Sequence, residues 1–193
     1  MIWTCSLLDL LDGLAARMLS VSSDLGKQLD SLSDLVAFGL LPATIIYALS
    51  GQYISGIWPY AAFVITVFSA LRLGLFNLDP DQSVNFKGLP VPANAILISS
   101  FPSVVNQNLS ILRPELENPV YWLFIVGILS YLLVSKIPLL GFKFQNFKWS
   151  ENKFRYIFMV IAGILGLSMG ILGIPWIMLS YLAVSLVWQY QKN

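Results

Sequence analysis

The sequence predicts an all-α fold, a polytopic membrane helical bundle with about seven transmembrane helices in one domain. Three observations carry this expectation. Of 193 residues, 57% are hydrophobic and 11% are charged, with a mean hydropathy of +0.75, far too apolar for an ordinary soluble domain. The apolar runs reach the roughly 20 residues that a bilayer crossing needs. The breaks between them carry turn chemistry.

Taken in order, the apolar segments fall at 1–20, 31–50, 56–77, 91–109, 119–140, 155–172 and 174–190. Turns are expected at Ser50-Gly51-Gln52, Asp79-Pro80-Asp81, Arg113-Pro114-Glu115 and Gly173-Ile174-Pro175, where proline and glycine punctuate the pattern. Ser20 to Gly26 reads as a short connection, and the polar, basic stretch Gly141 to Lys153 as a loop or surface-lying segment. Residues 1–110 hold the chemistry-bearing motifs, and 111–193 are expected to be supporting helices. Trp149, Trp176 and Trp188 are expected at membrane interfaces. Gly163, Gly166 and Gly170 suit close helix packing, including a homodimer contact.

If the segments simply alternate, Arg17, Lys27, Arg72, Lys87, Lys136, Lys143, Lys148, Lys153, Arg155 and Lys192 share one side and Arg113 lies on the other. The positive-inside rule makes the basic side cytoplasmic. Met1 then starts outside, on a segment barely long enough to cross, so a further helix before it is expected. The Met-Ile-Trp start has no basic region or small-residue cleavage pattern, and a signal peptide is not expected.

Composition also excludes chemistry. A net charge of +1 suggests no nucleic-acid partner, and the single Cys5 rules out an intrachain disulfide. The chain has no histidine, which removes His-based acid–base catalysis, Ser-His triads and His-ligated zinc. Any metal must be held by oxygen, which favours Mg²⁺, Mn²⁺ or Ca²⁺.

One stretch concentrates acids in apolar surroundings: Asp9 and Asp12, then Asp30 and Asp34. Spacings of three and four put each pair on one helix face. A short connection lets the two helices lie side by side, so four carboxylates converge, and their mutual repulsion calls for a cation. Ionisable residues at membrane depth are costly and mark function. Pairing with Arg17, Lys27 or Arg72, or an ion pathway in a divalent-cation transporter, are the competing readings. Gly13 allows close backbone approach and Arg17 offers a planar fork for phosphate, which favours phosphate handling. Two ions about 3.5–4 Å apart suit in-line displacement at phosphorus.

The pattern D-x-x-D-G-x-x-A-R-x8-G-x-x-x-D-x-x-x-D is filled at every position from Asp9 to Asp34. It resembles the signature of the CDP-alcohol phosphotransferases, integral membrane enzymes that displace CMP from a CDP-linked donor with an alcohol hydroxyl. The resemblance implies Mg²⁺ or Mn²⁺ as cofactor, two ions in all. Asp9, Asp12 and Asp30 would bind one, and Asp9, Asp30 and Asp34 the other. Asp34 would also deprotonate the alcohol, and Gly13, Ala16, Arg17 and Gly26 would line the donor site.

A second stretch, Arg72-Leu-Gly-Leu-Phe76-Asn77 followed by Phe86-Lys87-Gly88-Leu89-Pro90-Val-Pro92-Ala93, resembles the R-L-A-R-F-N and F-x-G-L-P-x-P-A pair of bacterial phosphatidylserine synthases. It implies CDP-diacylglycerol and L-serine as substrates and membrane lipids as surroundings. It also implies a bacterial inner membrane location, with the site facing the cytoplasm. Leu75 stands where that subgroup has its second arginine. Arg72, Asn77 and Lys87 are candidate acceptor contacts. Arg72 can instead anchor topology, Asn77 can cap a helix, and Gly88 to Pro92 can be a rigid helix entry. Glycerol phosphate or inositol phosphate are the alternative acceptors, and the few basic residues between Asn77 and Pro90 favour serine.

Overall fold

The computed structural model describes residues 2–19, 23–78, 86–141 and 149–192. Within these, the side chains of 10, 13–19, 24, 27, 86, 87, 150, 151 and 192 lie outside the described set. The described chain is helical apart from one two-stranded ribbon. Helix α1 spans Ile2–Leu19 and α2 spans Asp24–Asp34. A π-helical segment, Leu35–Leu40, joins α2 to α3, Leu41–Ser50. A 3-10 stretch, Trp58–Phe63, leads into α4, Val64–Leu78. Strand β1, Phe86–Lys87, precedes α5, Val91–Gln107, and α6, Leu109–Leu116. Helix α7, Pro119–Val134, is followed by β2, Pro138–Leu139. Helices α8, Trp149–Met169, and α9, Ile174–Lys192, flank a 3-10 turn at Gly170–Gly173.

Local chemistry explains these boundaries. Ser23 caps α2, its hydroxyl accepting the Gly26 N–H at 3.0 Å, an interaction worth about 1 kcal/mol. Asn118 caps α7 in the same way through Val120, with Pro119 in the first turn. Pro90 and Pro92 start α5, where missing N–H groups leave no bond broken. Pro42 follows the π segment. It offers no N–H to the Phe38 carbonyl and its ring crowds that carbonyl. The helix answers by widening, and Leu41 N–H bonds back to Val36.

Three helical stretches among the described residues are long and apolar enough to cross a membrane: Gln28–Ser50, Trp58–Leu78 and Asn152–Gln191. The last is 40 residues long and folds back at Gly170, whose φ is +55°. Lys153 near the start of α8 donates to Gln191 near the end of α9 at 3.0 Å, so the two helices run antiparallel. Helices α5 and α6 pass the same test as a pair, bent by 112°. Pro119–Val134 is a shorter apolar helix. The protein is a helical membrane protein.

Several sequence expectations shift. Gln28–Ser50 is one continuous helical stretch that begins earlier than expected, with Asp30 and Asp34 inside it. Arg113-Pro114-Glu115 is not a turn but lies within α6; the break sits at Asn108, whose side chain satisfies the Val104 carbonyl. The 119–140 segment stops at Val134, because Ser135 is extended and Pro138 enters β2. Trp149 to Lys153 is helical, while 142–148 and the Asp79-Pro80-Asp81 turn lie outside the described residues. A Cβ on Gly163 or Gly166 would meet nothing within 4 Å among the described residues, so neither glycine packs tightly against them.

Lipid tails are as apolar as leucine, so helices in a membrane associate by close packing rather than by water exclusion. The main core accordingly centres on Phe38, Ile46, Ile65, Ile98 and Leu133, with Ala43, Ala62 and Ala95 fully or nearly fully buried between helices. A second core, Leu89, Leu139, Leu140 and Tyr181, seats the β1–β2 ribbon on α9. The ribbon is antiparallel, with Phe86 opposite Leu139 and Lys87 opposite Pro138. It fixes the entry to α5 beside the end of α7, and it sets the backbone of the Gly88-to-Pro92 segment.

Candidate active site

Helices α1 and α2 place the acids. Asp9 and Asp12 sit one turn apart on α1, and Asp30 sits on α2, which ends at Asp34. One carboxylate oxygen from each of Asp9, Asp12 and Asp30 lies within 4.8 Å of the other two. Asp12 and Asp30 are exposed and Asp9 is half-buried. Asp34 is half-buried and interacts electrostatically with Asp9, Asp30 and Asp12. The four acids predicted to converge therefore share one locality.

The arrangement fits a hard divalent cation. Mg²⁺ bonds of about 2.0–2.1 Å space neighbouring ligand oxygens roughly 3 Å apart. The donors are all carboxylate oxygen, matching Mg²⁺ or Mn²⁺ rather than a soft metal.

The helix carrying Asp34 changes geometry immediately after it. The π segment begins at Leu35, and such bulges recur at functional sites. A Cβ on Gly39 would lie 2.9 Å from Leu35 Cδ1 and 3.0 Å from Ser69 Cβ, so only glycine lets α4 approach this closely. Thr66 Oγ1 on α4 donates to the Gly39 carbonyl at 3.3 Å. Further along α4, Asn77 Nδ2 donates to Ser31 Oγ at 2.8 Å. Neither the π segment nor these contacts was anticipated. Gly39 within an apolar helix was the visible hint of close approach.

The remaining predicted residues divide. Arg72 is only 5% exposed and its guanidinium lies over the Phe76 ring, 5.5 Å from the centroid. A topology anchor would reach the headgroups, so burial speaks against that role for Arg72. Gly26 is the third residue of α2, with its N–H engaged by Ser23. Asn77 does not cap α4; it binds Ser31 from the helix's last turn. The side chains of Gly13, Ala16, Arg17 and Lys87 lie outside the described residues. The backbones of Gly13, Ala16 and Arg17 are helical, and that of Lys87 lies in β1. Asn94 is fully buried near the start of α5, and neither amide atom has a hydrogen-bond partner among the described residues.

A helical membrane bundle carrying a clustered carboxylate site of this spacing defines a class, and comparison identifies it. The CDP-alcohol phosphatidyltransferase family matches residues 1–188, and the chain belongs to that family. Its members are transferases that generally depend on a divalent metal. The chain is 35% identical to the CDP-diacylglycerol–serine O-phosphatidyltransferase of Bacillus subtilis (strain 168) over 151 residues, covering 76% of this chain and 73% of that protein. It is 32% identical to the protein of the same name from Helicobacter pylori (strain ATCC 700392 / 26695) over 158 residues, covering 81% of this chain and 65% of that one. The chain is 40% identical to the archaetidylserine synthase of Methanothermobacter thermautotrophicus over 99 residues, covering 49% of this chain and 41% of that protein.

Proposed function

We propose that the chain is a metal-dependent phosphatidylserine synthase, transferring the phosphatidyl group of CDP-diacylglycerol to the hydroxyl of L-serine with release of CMP. The observation that carries this reading is the convergence of Asp9, Asp12 and Asp30 within 4.8 Å, with Asp34 beside them. The serine acceptor is supported by the Arg72–Ala93 stretch and by the names of the relatives.

Asp9, Asp12 and Asp30 would hold one divalent cation, Mg²⁺ or Mn²⁺, and Asp9, Asp30 and Asp34 would hold a second. Cations held there would supply positive charge to the donor's diphosphate and to departing CMP. Asp34 accepts the proton of the serine hydroxyl, which is a poor nucleophile until that proton is taken. The serine oxygen forms a bond to the phosphatidyl phosphorus, and the bond from that phosphorus to CMP breaks, its electron pair leaving with CMP. Arg17 grips the diphosphate through its fork, while Gly13, Ala16 and Gly26 leave room for the donor.

Arg72 contacts the serine carboxylate. A guanidinium offers a planar fork that matches a carboxylate, and Arg72 heads the Arg72–Ala93 stretch that supports a serine acceptor. Lys87, whose backbone lies in strand β1 ahead of α5, is the second basic candidate for the acceptor. The distribution of basic residues along the sequence supports a cytoplasmic leaflet of a bacterial inner membrane for this face.

The test is an acceptor panel. Purified protein in detergent is given CDP-diacylglycerol and Mn²⁺ with serine, glycerol phosphate or inositol phosphate, and the lipid product is identified by mass spectrometry. Phosphatidylserine formed with serine is the expected product. A phosphorylated-alcohol lipid would retain the family chemistry and overturn the acceptor.

A further inference from the structure

We propose that Asn77 is a positioning residue for Asp30 and Asp34, holding the acid-bearing helix at the rotation that lets its carboxylates meet those of α1. The inference rests on the metal-dependent reading above and goes beyond the residues that bear ligands.

The hydrogen bond from Asn77 Nδ2 to Ser31 Oγ, 2.8 Å long, joins segments 46 residues apart. Ser31 directly follows Asp30 and lies three residues before Asp34. Helix α2, 11 residues, runs on into the π segment at Leu35, where the helical twist changes, so the regular α-helical register does not by itself fix its rotation against α1. Helix α4 does so instead, at two heights. Thr66 holds the Gly39 carbonyl and Ser69 packs on Gly39 below Asp34. Asn77 holds Ser31 above it.

The geometry sets the sensitivity. With side chains, a helix has a radius of about 5–6 Å, so a rotation of roughly 20° sweeps a carboxylate tip by about 2 Å. That is a large share of the 4.8 Å within which the three carboxylates gather. A displacement of about 1 Å at a reacting centre can cost about a hundredfold in rate.

The experiment measures Mn²⁺ binding to the purified full chain by electron paramagnetic resonance of free Mn²⁺, alongside serine KM at saturating Mn²⁺. Asn77→Ala and Ser31→Ala should each weaken Mn²⁺ binding about tenfold, the low end of the range for residues supporting metal ligands. The double variant should bind no worse than either single one, and Ser31→Thr, which keeps the hydroxyl, should bind as wild type. Serine KM should stay within about twofold in all of them, since none removes an acceptor contact. Unchanged Mn²⁺ binding in Asn77→Ala with a raised serine KM would overturn positioning and make Asn77 an acceptor contact. Additive losses in the double variant would also overturn it. Asp30→Asn is the control: if wild type binds Mn²⁺ and Asp30→Asn binds it equally well, the metal reading itself fails.

Discussion

A Cβ on Gly88 would lie 2.7 Å from the carbonyl oxygens of both Leu133 and Ser135. The residue also holds φ at +78°, a region that costs other residues roughly 1–2 kcal/mol. Its N–H donates to the Ile137 carbonyl at 2.9 Å and that of Leu89 to Leu132 at 2.8 Å. The glycine therefore lets β1 lie directly on the end of α7.

Gly88→Ala should lower the melting temperature in detergent by about 2–8 °C from the conformational strain alone, with the clash adding to it. Gly163→Ala, which meets open space, should shift it by less than about 2 °C. Fluorescence-detected size-exclusion melting curves of the two variants make the comparison.

The far side of the ribbon is held by α9. Tyr181 Oη donates to the Leu140 carbonyl, and Leu140 N–H donates to Ser185 Oγ, each at 3.1 Å. Tyr181→Phe leaves the buried carbonyl without this donor and should cost about 1 kcal/mol, or about 2–4 °C. Mn²⁺ affinity should be unchanged, because the acids lie on α1 and α2. The same melting assay paired with Mn²⁺ titration checks both statements.

Asp34→Asn should reduce kcat by about 10²–10⁴-fold, the usual contribution of a general base. Binding of the CDP-linked donor, followed by equilibrium titration with CDP, should remain largely intact. A rate near wild type would remove Asp34 from the base role.

Arg72→Met should raise serine KM by about tenfold to a hundredfold, the worth of a charge-assisted hydrogen bond. CDP-diacylglycerol KM should not move. Arg72→Lys should fall between, keeping charge but losing the planar fork. Steady-state kinetics with each substrate varied in turn separate these effects.

The helical membrane class and the acid cluster were legible because they rest on local periodicity. Long apolar runs and the spacings Asp9/Asp12 and Asp30/Asp34 survive whatever the tertiary packing does. The bend at Asn108 was missed because Arg113-Pro114-Glu115 looked the stronger breaker, yet α6 carries Pro114 inside it and runs on to Leu116. The π segment at Leu35–Leu40 leaves no periodic trace over six residues; it follows from Pro42 and from the approach of Ser69 to Gly39. Asn77 read equally as cap or substrate contact, since its partner Ser31 lies 46 residues away in sequence and nothing local selects that pairing.

The central claim is a metal-dependent, serine-dependent displacement of CMP at the Asp9, Asp12, Asp30 and Asp34 cluster. It is tested most directly by CMP release from CDP-diacylglycerol, with Mn²⁺ and L-serine added separately and together, for wild type and Asp30→Asn. Release that requires both additions and falls at least about a hundredfold in the variant is the predicted result. Release that persists without metal, or that survives Asp30→Asn at the wild-type rate, would contradict it.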